Sequence, residues 1–138
     1  MNAPVNIDAI VLPHWIRLQP LIRKAVPFMY GAMDEHDLLK AVLERRMAFF
    51  PGERCFMVAA IDRHEQKTAA NIVLANGDDD EIAAMVPGVE RWALNNGATE
   101  LVFDFRPGLD RLEEGSRCKA LGFKRRSVRY AKELCHGR

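Results

Sequence analysis

The sequence predicts one α/β domain over residues 1–138, with a mixed central sheet and helices on both of its faces. Three observations predict it. The chain has 138 residues, of which 49% are hydrophobic and 28% charged, the make-up of one globular domain with a full core. Two apolar runs of strand length, Cys55–Ile61 and Thr68–Leu74, flank a short polar turn, the mark of an antiparallel hairpin. A helical stripe and a third strand follow, a βαβ-type run that adds a parallel pair to the sheet.

The elements follow in order. Residues Pro13–Tyr30 carry Leu18, Leu21, Ile22, Ala25 and Met29 at helical spacing, with a kink or break expected at Pro20 and Pro27. Asp34 caps the next helix and Asp37 sits in its first turn. The spacing of Leu39, Val42, Leu43, Met47 and Phe50 carries that helix to a stop at Pro51-Gly52. The strands Cys55–Ile61 and Thr68–Leu74 come next. Asn76-Gly77 and a run of acids then open a helix with Ile82, Met85, Val86, Val89, Trp92 and Ala93 on one face and an irregular early turn at Pro87. Asn95-Asn96-Gly97 stops it. Glu100–Phe105 is a strand, Leu109–Leu121 a helix closed by Gly122, and Arg125–Leu134 a last strand with Val128, Tyr130 and Leu134 on one face.

Composition excludes several classes. A net charge of +1 gives no overall pull toward nucleic acid or membranes. No apolar run reaches the roughly 18 residues of a membrane helix, and the first residues lack the pattern of a secretory signal. The three cysteines, Cys55, Cys118 and Cys135, have no metal spacing and read as reduced thiols of a cytoplasmic protein. His14, His36, His64 and His136 are scattered, so no metal site is expected. Ser116 and Ser127 are the only serines, and neither lies in a nucleophile motif. The basic stretch from Arg117 to Arg138 has two readings: a strand edge guarded by charge, or a surface for a phosphate or an acidic partner. Tyr130 alone is too little aromatic surface for a nucleic-acid platform.

Several local patterns point to one family. They are Trp15-Ile16-Arg17-Leu18-Gln19-Pro20-Leu21, Glu90-Arg91-Trp92-Ala93 ahead of Gly97-Ala98, Phe105-Arg106-Pro107-Gly108-Leu109, Leu121-Gly122-Phe123 and Lys132-Glu133-Leu134. In their order and spacing over residues 13–134 they resemble the GNAT N-acetyltransferases, most of all a group of small phage-encoded GNAT-like proteins. The resemblance implies an acetyl-CoA-dependent N-acyltransferase acting on a small-molecule or protein amine. The cofactor would lie where the strands Thr68–Leu74 and Glu100–Phe105 splay. Backbone groups of Val73, Leu74, Ala75, Asn76 and Gly77 would pair with its pantetheine arm, and its pyrophosphate would rest on the start of the next helix.

The chain departs from the family pattern at two points. The family's Gly-rich, basic pyrophosphate loop is here Ala75-Asn76-Gly77-Asp78-Asp79-Asp80-Glu81, with one glycine and four carboxylates. One of the aspartates caps the helix in the simpler reading, which fills the anion site with a side chain of the protein itself. The tyrosine that many GNAT enzymes use to protonate the departing thiolate is replaced by Cys118. Cys118 is then either the general acid, with Arg117, Lys119 and Lys124 near it, or an inert small hydrophobe. Asp104 and Glu100 are the candidate bases for the amine. For Asp104 the alternative is a structural ion pair with Arg106 or Arg129. Two functions follow from these residues: an N-acyltransferase, or a non-catalytic GNAT-fold protein of structural, assembly or binding type, as a homodimer or with a protein partner.

Overall fold

The start of the second helix shows how local sequence sets the architecture. Asp34 Oδ1 accepts from the amide of Asp37 at 2.8 Å, and Asp37 Oδ2 accepts from the amide of Asp34 at 3.3 Å, a reciprocal capping box. Residues 7–29, 33–104, 124–126 and 129–134 are described by this computed structural model, with side chains for 9–27, 33–103 and 133–134. Its elements are α1 (Ile7–Ala25), a 3-10 turn (Val26–Met29), α2 (Glu35–Leu43), β1 (Ala48–Pro51), β2 (Cys55–Arg63), β3 (Thr68–Gly77), α3 (Asp79–Asn95), β4 (Glu100–Asp104), β5 (Lys124–Arg126) and β6 (Arg129–Glu133).

The six strands form one sheet in the order β1-β2-β3-β4-β6-β5. Strands β3 and β4 are parallel, and every other pair is antiparallel. Alternation along β2 divides the core. Cys55, Met57 and Ala59 face α3, beneath Ile82, Val86, Val89 and Ala93, while Phe56 and Val58 face Trp15, Leu18 and Ile22 of α1 and Leu38 of α2. The predicted mixed sheet with helices on both faces is therefore the observed one. Glu35 ties α2 to α1, accepting from Trp15 Nε1, Gln19 Nε2 and Arg23 Nε, donors spaced one helical turn apart.

Helix α1 runs through Pro13 and Pro20 and gives way to a 3-10 turn at Pro27. The two prolines inside the helix lie seven residues apart on its exposed face, where water reaches the carbonyls their rings displace. Helix α3 likewise continues through Pro87 without an irregular turn.

Two elements differ from the sequence reading. The second helix does not reach Phe50. It ends at Leu43 with Arg45 at φ 63°, where the amide of Arg46 donates to Ala41 O and that of Arg45 to Val42 O. Residues Ala48–Pro51 form the edge strand β1 instead, because pairing with β2 sends adjacent phenylalanines into opposite cores. Phe49 meets Trp15 at 5.1 Å between ring centroids, and Phe50 meets Trp92 edge-on at 5.3 Å. One helical face cannot do that. The expected last strand Arg125–Leu134 is two short antiparallel strands, β5 and β6, with Arg126 opposite Arg129. The expected helix over Leu109–Leu121 lies outside the described residues.

Candidate functional site

Strands β3 and β4 pair from Ala69↔Glu100 to Ile72↔Phe103 and no further among the described residues. Strand β3 continues to Gly77, paired with β2 alone among the described strands. From Val73 onward one side of β3 therefore has no neighbouring strand among the described residues. A β-bulge lies where that pairing ends. Val58 pairs with Leu74 and Ala59 with Ile72, so Val73 is the extra residue. The packing shows the same slip: Ile72 faces α3, Val73 and Leu74 both face α1, and Ala75 faces α3 again. A bulge re-aims the backbone locally and so places amide and carbonyl groups at the mouth of the splay.

The side chains of the predicted contact residues are committed to the fold. Leu74 and Ala75 are buried in the two cores, and Asn76 Nδ2 donates to Leu21 O of α1 at 3.0 Å. Gly77 has φ 121°, and a Cβ there would stand 2.3 Å from Arg54 O and 2.5 Å from Cys55 Cα. What this stretch offers a ligand is backbone.

The start of α3 is capped. Asp78 is its N-cap, its Oδ2 accepting from the amide of Glu81 at 2.9 Å. The amide of Ile82 donates to Asp78 O at 3.0 Å. The Glu81 carboxylate turns to the β1–β2 turn and accepts from the amides of Glu53 and Arg54, each at 2.7 Å. Those two amides hold its carboxyl below the usual carboxylate range. On the other side Arg17 donates to Gly52 O at 2.8 Å and Glu53 O at 2.7 Å. Gly52 N donates to Cys55 O, and Asp78 N to Arg54 O. Every backbone donor and acceptor of Gly52–Arg54 thus has a partner. The sequence reading missed the roles of Arg17 and Glu81. Nothing local signals them, since their partners are backbone groups distant in sequence.

Cys55 lies beneath this turn. Its thiol donates to Met85 Sδ at 3.3 Å, and burial, followed by the neighbouring Glu81 carboxylate, pushes its pKa up to about 12. It is a packed hydrophobe rather than a nucleophile. Glu100 is buried at the opposite end of β4 from the splay, where Lys67 Nζ meets its Oε2 at 2.8 Å. That pairing accounts for it structurally. Asp104 ends β4 in register with Arg129 of β6, and its side chain lies outside the described residues. Cys118 lies outside them altogether. Among the described residues no group of histidine, cysteine, aspartate and glutamate could hold a metal ion, and no helix is long and apolar enough to cross a membrane.

This mixed sheet with helices on both faces is matched among solved structures. An acetyltransferase of the GNAT family from Listeria monocytogenes 4b F2365 matches over 96% of this chain and 93% of its own, with a TM-score of 0.54 and 12% identity. FeeM, an N-acyl amino acid synthase from uncultured soil microbes, matches over 97% and 87%, with a TM-score of 0.55 and 17% identity. The fold is the GNAT fold. No family profile matches the sequence, and no curated protein matches it significantly.

The GNAT fold raises the question of acetyl-CoA, and the residues answer it in two parts. The side of β3 beyond Ile72, which has no partner strand among the described residues, fits an extended, amide-bearing arm that pairs as a strand would. The start of α3 does not fit a pyrophosphate. Asp78 takes the Glu81 amide that such an anion would use, and Asp79, Asp80 and Glu81 add carboxylates to the same turn.

Proposed function

We propose that the chain is an N-acyltransferase of GNAT type acting on an amine not yet identified, with acetyl-CoA the first donor to test. The observation that carries this reading is the end of β3–β4 pairing at Ile72 and Phe103 among the described residues, with the bulge at Val73 beside it. The two solved structures of like fold, an acetyltransferase and an N-acyl amino acid synthase, support acyl transfer as the class. In this reading the backbone of Val73, Leu74, Ala75, Asn76 and Gly77 lines the donor arm. Asp104 accepts a proton from the acceptor amine and Cys118 supplies one. The acceptor is a small molecule or a protein amine.

The capped, acid-rich start of α3 favours a second reading, a GNAT-fold protein without catalysis that works as a structural, assembly or binding module. The resemblance of its motifs to small phage-encoded proteins agrees with that role, as a homodimer or with a protein partner. Calorimetric titration with acetyl-CoA and with CoA at low salt separates the two. Micromolar binding supports the enzyme, and acceptor amines are then screened, with Cys118→Ala and Asp104→Asn testing the proton transfers. No binding at millimolar ligand, in the wild type and in Asp78→Ala alike, overturns the CoA reading and leaves the binding module.

A further inference from the structure

A cleft of about 480 Å3 lies at the end of the sheet away from the β3–β4 splay, around the start of edge strand β1. Its size is that of small-molecule sites. Met47, Phe49, Ile61 and Trp92 give it apolar walls, and Arg45, Arg46 and Arg63 stand around it with no acid among the lining residues. Glu44 occupies Arg46, at 2.8 Å. The guanidinium groups of Arg45 and Arg63 have no hydrogen bond or ion pair among the described residues.

Arg45 stands out a second time. It follows the cap of α2 with φ 63°, a left-handed position that favours glycine. An arginine there works against local backbone preference, and such departures gather where a side chain serves a site.

We propose that this cleft binds a small organic carboxylate with an apolar body. Arg45 and Arg63 receive the carboxylate, and Phe49, Met47, Ile61 and Trp92 cover the body. Guanidinium forks match the two oxygens of a carboxylate, and an apolar wall beside them lowers the competition from water. The binding is independent of any acyl donor.

The test is titration of the intact protein with 3-phenylpropionate and with octanoate, followed by tryptophan fluorescence and the indole N–H resonance of Trp92. Trp15, the only other tryptophan, is 1% exposed in the opposite core, so the two signals separate. Saturable binding is expected, with neutral 3-phenylpropanamide at least about ten-fold weaker. Arg45→Gly suits the left-handed backbone and keeps the fold, yet is expected to weaken binding about ten-fold, as is Arg63→Gln. No saturable change at millimolar carboxylate overturns the proposal. So does equal binding of the amide, or equal binding by both variants. Phenyl phosphate binding about ten-fold more tightly than the carboxylates would also overturn it and assign the cleft to phosphates.

Discussion

Arg17 and Glu81 hold the same turn from opposite sides, Arg17 by the carbonyls of Gly52 and Glu53 and Glu81 by the amides of Glu53 and Arg54. One residue comes from α1 and the other from α3, so the turn joins the helices on the two faces of the sheet. Arg17→Ala is expected to cost about 1 kcal/mol in urea unfolding, because its bonds to the turn are made at the surface. Glu81→Gln is expected to lower the urea midpoint too, since an amide cannot accept from two N–H groups with both of its ends. The double variant should depart from the sum of the singles, as both order one turn. Strict additivity would show that the turn does not couple them.

Acid should loosen the same region. The folded-state pKa of Glu81 is depressed below the ordinary 4.5, by the amides of Glu53 and then Arg54. That of Asp34 is depressed below 3.8, first by the amide of Asp37. Burial raises the pKa of Glu35, but its bonds to Arg23, Gln19 and Trp15 outweigh this and leave it below 4.5. A depressed carboxylate stabilises the fold fully above its unfolded pKa and loses that contribution as pH falls through its folded pKa. Melting temperature is therefore expected to hold down to about pH 5 and fall below it. In Glu81→Gln that fall should be shallower. An identical acid limb in the variant would remove Glu81 from the effect.

Gly77→Ala should be among the most damaging single changes. The backbone at φ 121° strains any side chain, and the new Cβ would overlap Arg54 O and Cys55 Cα. A loss of about 3 kcal/mol is expected in thermal or urea unfolding. An unchanged melting temperature would mean that β2 and β3 can separate at this end without cost.

Phe49→Ala and Phe50→Ala test the division of the core. Each ring is half-buried, so each change should cost about 2 kcal/mol, below the value for a fully buried ring. Phe49 packs with Trp15 and Phe56, Phe50 with Trp92. Because the rings lie in separate cores, the double variant should match the sum within about 0.5 kcal/mol. Strong coupling would show that the adjacent rings share one packing unit.

The candidate site was legible in the sequence where its determinants are local. The acids after Gly77 announced a capped helix, and Asp78 makes that cap with its own neighbour Glu81. The positions of Val73–Gly77 at the end of a strand followed from the apolar run before them. The bulge did not, because an extra residue is defined only against the register of β2. Nor did the tie from Glu81 to Glu53 and Arg54, whose acceptor and donors meet only when α3 lies across the β1–β2 turn.

The sequence by itself determined the mixed α/β class, the antiparallel hairpin of β2 and β3, the cap at Asp34, a cap by one of the aspartates Asp78–Asp80 and the stop of α3 after Asn95. Each rests on residues within a few positions of one another, where hydrogen bonds to nearby amides and the alternation of side chains decide the outcome. Tertiary structure alone decided that Ala48–Pro51 is a strand. Its four residues lack a helix's hydrogen-bonded length and find partners only on β2, with Phe49 and Phe50 drawn to cores on opposite faces. It also decided that β3 and β4 pair no further than Ile72 and Phe103 among the described residues. Strand pairing is a property of two segments held together by the helices packed over them, and neither segment carries it alone.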